Sequence, residues 1–232
     1  MSSSVSELRA RPGLSRAIVG VGLVAAMLFL LPASAGTPWL RLVAKPVPVL
    51  CMALWLGLRP GKGPYQVAVI AGLVLGATGD VLLELGDRTF ILGLAAFLLG
   101  HLAYVGAFLQ DCRRPRPLLA LASYAYGILA FVILNTAGDL GALTLPVAAY
   151  VLVISTMLWR GLSRWGVAGI ARGSARLGAA GAVLFTASDS VLAYSMFVER
   201  FGWAGLLIMS TYWLGQLGIT LSADQAGRLD AG

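Results

Sequence analysis

Eight stretches of about twenty mostly apolar residues follow one another along this chain of 232 residues, at 17–35, 39–58, 65–85, 89–110, 117–135, 143–159, 176–197 and 203–222. Each is long enough to cross the hydrocarbon core of a bilayer as a helix, which satisfies its own backbone hydrogen bonds where no water can. The gaps between them are short and rich in Gly, Pro and Arg, as tight turns between antiparallel neighbours require. The chain is 59% hydrophobic and 12% charged, whereas a soluble domain carries about 25% charged residues. The expected fold is therefore an all-α, integral, multi-pass membrane protein: a bundle of eight transmembrane helices over 17–222. A basic tail at 1–16 and a short tail at 223–232 flank it.

The positive charges are distributed unevenly. Arg9, Arg11 and Arg16 precede the first span, Arg59 and Lys62 lie in the second gap, and Arg113, Arg114 and Arg116 in the fourth. Arg160, Arg164, Arg172 and Arg176 fall in or beside the sixth gap, and Arg228 in the tail. The other side has only Arg41, Arg88 and Arg200. By the positive-inside rule both termini are expected to be cytoplasmic. The net charge of +7 is thus read as a topology signal. It does not point to nucleic acid, since no basic run is interleaved with exposed aromatics. The first span also ends in Ala33-Ser34-Ala35, the pattern of a signal-peptide cleavage site; cleavage there would leave seven helices.

Several ionisable groups lie inside these apolar runs, where each is costly and usually functional. At 1.5 Å rise per residue, Asp80 and Lys45 lie ~9 Å from the outer ends of their helices, Asp189 ~12 Å, Tyr212 ~14 Å and His101 ~18 Å. His101 and Tyr104 are three residues apart, and Tyr212 and Gln216 four, so each pair shares a helix face. Lys45 is expected to pair with Asp80 or Asp189, while Glu84, near Asp87 and Arg88, is expected to be solvated. Each group alone has a structural reading as an ion pair or interhelical hydrogen bond. Their convergence at one depth favours a site.

The residue types limit the chemistry. With His101 the only histidine, a three-His zinc site is excluded, and Cys51 and Cys112 make neither a metal cage nor an expected disulfide. A Ser-His-Asp triad through Ser188 or Ser210 is open on residue types, but no G-x-S-x-G elbow is present. Two buried carboxylates fit better, because burial and mutual repulsion leave one protonated and the other ionised, giving an acid and a base.

Lys45-Pro46, Gly79-Asp80, Phe97-x-x-Gly100-His101-x-x-Tyr104, Ser188-Asp189 and Tyr212-x-x-x-Gln216 together resemble the YhhN-like lysoplasmalogenase family, in order and spacing, from about residue 17 to 222. The resemblance implies a membrane hydrolase that cleaves the vinyl ether bond of lysoplasmalogens to a fatty aldehyde and a glycerophospho-alcohol. It implies Asp80 and Asp189 as the catalytic pair, with Lys45, His101, Tyr104, Tyr212, Gln216 and Ser188 binding or orienting substrate. The expected partner is a lysophospholipid taken from the surrounding membrane lipids, with no cofactor and no metal. The competing class is a proton- or cation-coupled transporter using the same acids. Against it, neither aspartate helix carries a proline near its acid.

Overall fold

The computed structural model describes residues 12–31, 36–60 and 62–229. Among these the chain forms nine helices: α1 Pro12–Leu30, α2 Pro38–Ala44, α3 Val47–Gly57, α4 Pro64–Glu84, α5 Phe90–Asp111, α6 Pro117–Ala137, α7 Thr144–Ser163, α8 Arg172–Phe197 and α9 Ala204–Leu229. They make eight spans long and apolar enough to cross a membrane. The Ala33-Ser34-Ala35 pattern lies outside the described residues.

Local chemistry sets the boundaries. Proline opens α2, α4 and α6, where its missing N–H is not needed and its fixed φ already suits a helix. Gln66 accepts the Gly63 N–H at 2.9 Å and caps α4. The second span, Pro38–Gly57, is expected from the sequence to be one helix but is interrupted at Lys45-Pro46. Pro46 and Pro48 remove the N–H groups that would bond the carbonyls of Leu42 and Ala44, so the ladder breaks there. By contrast α4 and α8, which carry the two aspartates, run unbroken. Helix α9 continues past residue 222, held by Gln66 Nε2 donating to the Ala223 carbonyl at 3.0 Å and by Arg59 paired with Asp224 at 3.1 Å.

The closest helix pairs are α8–α9 and α4–α5. Their approach requires residues without side chains. A Cβ on Gly181 would lie 2.7 Å from both the Gly215 oxygen and the Ile219 nitrogen, so α8 and α9 touch backbone to backbone. The interior is filled by Leu73, Tyr104, Phe108, Met157, Phe185 and Ile219. Large apolar side chains such as Met27, Leu118 and Leu145 point outward, as lipid contact demands.

The end of the bundle opposite Glu84 is closed by arginine. The sequence marks Arg160 and Arg164 as loop charges, yet both are buried. Arg164 is fully enclosed and binds Asp111 at 2.8 Å, the Ser174 hydroxyl at 2.8 Å and the Ser222 hydroxyl at 2.8 Å, with its guanidinium over Tyr65. Arg160 donates to the carbonyls of Arg114 and Cys112. A guanidinium has five donors, so one side chain ties together α5, α7, α8 and α9 where a lysine would not. Arg164→Ala leaves the Asp111 carboxylate without its cation and the Ser174 and Ser222 hydroxyls with one donor fewer, and we expect it to lower stability by about 3–5 kcal/mol. Thermal unfolding of the purified protein in detergent reads this as a clear drop in midpoint, against a small change for the exposed Arg113→Ala.

Candidate active site

Each buried aspartate is held by a phenol from another helix. Asp80 on α4 is 2% exposed and accepts a hydrogen bond from Tyr212 Oη of α9 at 2.8 Å. Asp189 on α8, with its side chain 13% exposed, accepts one from Tyr150 Oη of α7 at 2.5 Å. His101 Nε2 of α5 stands 3.7 Å from the same Asp189 oxygen, beyond hydrogen-bond distance, and neither ring nitrogen has a hydrogen-bond partner. Tyr104 donates to Gln216 Oε1 at 2.5 Å, and the Gln216 amide also faces the Tyr212 phenol.

The two carboxylates are linked through an aromatic wall. The Phe185 ring meets His101, Tyr104 and Tyr212 edge-on, with centroids 4.7, 6.3 and 5.2 Å away. Phe97 packs on Tyr212 at 5.9 Å, and Tyr150 on His101 at 5.2 Å. Phe97 reaches its position because residue 79 is glycine: a Cβ there would sit 2.5 Å from the ring. Asp80 has Lys45, Glu84 and Asp189 as charged neighbours within electrostatic reach.

An apolar cleft between α5, α6, α7 and α8 leads to one of them. Phe97, Leu134, Ile154 and Met196 line it, with Tyr150 and Asp189 its polar floor. It reaches the outer flank of the bundle at Tyr126, which is exposed and bonded to Ser190 at 2.7 Å. Apart from Tyr126, Tyr150, Ser155, Thr186, Asp189 and Ser190, the residues that line it are apolar.

Two expectations need correction. Lys45 pairs with neither aspartate; its Nζ lies 3.3 Å from Glu84. Glu84, in turn, is not a solvated surface residue, since Arg41 also binds it at 2.7 Å and its side chain is 15% exposed. The reason is helical geometry, with Glu84 one turn above Asp80 on the same face of α4, under the broken α2. His101, Tyr104, Tyr212 and Gln216 do converge. Ser188 is buried and donates to the Ile208 carbonyl at 2.9 Å, joining α8 to α9 without meeting His101. Tyr150 and Phe185 escape the sequence reading, although a tyrosine in the middle of the 143–159 run is a legible signal. Among the described residues no three His, Cys, Asp or Glu side chains gather to hold a metal ion.

The fold is that of an integral multi-pass membrane protein, with two tyrosine-bound aspartates among its helices. The chain belongs to the YhhN family, whose model matches residues 40–223. It is 40% identical to a human protein named lysoplasmalogenase TMEM86B over 185 residues, 80% of this chain and 76% of that one. It is 33% identical to lysoplasmalogenase TMEM86A of Bos taurus, over 83% and 82% of the two chains. A Mycobacterium tuberculosis protein named lysoplasmalogenase is 34% identical over 139 residues, 56% of this chain and 50% of its own. No solved structure matches.

Because Tyr212 alone donates a side-chain hydrogen bond to Asp80, Tyr212→Phe is expected to cost about 1–3 kcal/mol by orphaning a buried acceptor. In a double-mutant cycle with Asp80→Asn on unfolding midpoints, the two changes should couple. Strict additivity would show that the bond contributes nothing.

Proposed function

We propose that this protein is a lysoplasmalogenase-like ether hydrolase that cleaves the vinyl ether bond of a lysoplasmalogen taken from the bilayer. The products are a fatty aldehyde and a glycerophospho-alcohol. The observation that carries the reading is the pair of tyrosine-bound aspartates, one of which floors an apolar cleft. The relatives named lysoplasmalogenase support the substrate class.

Vinyl ether hydrolysis begins with a proton added to the carbon one removed from oxygen, leaving an oxocarbenium ion. Water then adds to the carbon bearing oxygen, a proton leaves, and the hemiacetal collapses with protonation of the glycerol oxygen. One water is consumed and the catalytic proton is returned. The carbon to be protonated belongs to the chain side of the bond, and Asp189 is the carboxyl group among the residues that line the apolar cleft. We therefore assign Asp189 as proton donor to carbon. Asp80, one turn from the charged end of the bundle, stabilises the cation and accepts the proton of the attacking water. His101 and Gln216 orient that water and the glycerol oxygens, and Tyr104 and Tyr212 hold the groups in register. With the arginine-rich loops cytoplasmic, the site opens toward the opposite face. No step requires a cofactor.

Purified protein is expected to release aldehyde from an alkenyl lysophospholipid and no fatty acid from its acyl counterpart. Asp80→Asn and Asp189→Asn should each lower the rate about 10²- to 10⁴-fold with folding retained, the usual contribution of a positioned acid or base. Full activity in both variants removes the mechanism. Gradient-driven proton uptake into proteoliposomes without turnover would instead support the transporter.

A further inference from the structure

Three charged side chains meet at the Glu84 end of the bundle. Arg41 of α2 donates Nε to Glu84 Oε1 at 2.7 Å, and Lys45 donates to Oε2 at 3.3 Å. One carboxylate is thus shared by two cations, with the buried Asp80 four residues earlier on α4. The side chains of Arg41, Lys45 and Glu84 are 32%, 13% and 15% exposed, so the cations are partly desolvated yet reachable. The guanidinium also lies over the Phe29 ring, 4.3 Å from its centroid, which fixes its plane. Its bond to Glu84 is made by Nε, leaving the terminal nitrogens for the two-pronged grip that guanidinium gives an anion.

A guanidinium and an ammonium carry more donors than one carboxylate takes up, and in this half-buried place an anion from outside would accept the remaining ones. The location says which anion. Glu84 is four residues beyond Asp80, or ~6 Å along α4, and Lys45 is within electrostatic reach of Asp80. That separation is close to the length of a glycerol backbone between its terminal oxygens. A lipid with its vinyl ether at the two aspartates would therefore place its phosphate beside Arg41 and Lys45.

We propose that Arg41 and Lys45, positioned by Glu84, form the receptor for the phosphodiester of a single-chain phospholipid. The proposal rests on the hydrolase reading for the placement of the scissile bond. It fixes the direction of the substrate, with head group at the triad, glycerol at Asp80 and chain past Asp189 into the apolar cleft. Glu84 is a positioning residue: it holds both cations and contacts no reacting atom.

The test uses full-length protein in nanodiscs and two unreactive saturated ethers, a 1-O-alkyl lysophospholipid and the matching 1-O-alkylglycerol. Wild type should bind the phospholipid at least about tenfold more tightly. Arg41→Gln should weaken the phospholipid by about 10- to 100-fold, the range for hydrogen bonds to a charged group, and leave the alkylglycerol unchanged. Arg41→Lys should recover part of the loss, and unfolding midpoints identify any misfolded variant. Inorganic phosphate should compete only at far higher concentration than the lipid. Equal affinity of wild type for the two ethers, equal weakening of both by Arg41→Gln, or phosphate binding as tight as the lipid would overturn the proposal. Because neither ether is hydrolysed, absence of aldehyde release in the activity assay refutes the hydrolase reading separately.

Discussion

A carboxyl group surrounded by hydrocarbon must find a donor or be excluded, since an unpaired one costs several kcal/mol. This protein keeps two and gives each a tyrosine from another helix. Asp80 of α4 leans on Tyr212 of α9, and Asp189 of α8 on Tyr150 of α7. These bonds fix how four helices are rotated about their axes. Phe185, set between the two groups, keeps them in one site while packing against His101, Tyr104 and Tyr212. Where glycines let α8 and α9 touch backbone to backbone, Phe185 and Tyr212 also meet, their centroids 5.2 Å apart.

The two ends of the bundle use arginine in opposite ways. At one end Arg164 has a carboxylate and two hydroxyls for its donors and is sealed from solvent. Its bonds cross-link loops that a bilayer would otherwise leave loosely tied. At the other, Arg41 shares a single carboxylate with Lys45 and stays partly open. The first arrangement is saturated and structural. The second sets two partly exposed cations near buried Asp80, and the break at Lys45-Pro46 lets α2 bring them over the end of α4.

Much of this is legible in the sequence because a bilayer imposes simple rules. The eight spans follow from run length alone. The importance of Asp80, Asp189, His101, Tyr104, Tyr212 and Gln216 follows from the cost of placing them at depth. What the sequence hides is rotation and pairing. Lys45 has three acids at similar depth, and only the packing of α2 over α4 selects Glu84. Arg160 and Arg164 sit where topology rules expect loop charges, and nothing local reveals that they fold inward onto Asp111 and backbone carbonyls. Tyr150 looks like one more aromatic in an apolar run, and its bond to Asp189 depends on how α7 meets α8. The break at Lys45-Pro46 is written in two prolines, although hydropathy smooths over it.

The central claim is that a buried carboxyl group protonates carbon and that water then enters at the carbon bearing oxygen. Turnover of an alkenyl lysophospholipid in oxygen-18 water, compared with turnover in deuterium oxide, tests both halves together. The account predicts a glycerophospho-alcohol free of solvent oxygen, a slower reaction in deuterium oxide and one deuterium at the carbon beside the aldehyde. Solvent oxygen in the glycerol product, with no isotope effect on the rate, would mean cleavage on the other side of the ether oxygen and would contradict it.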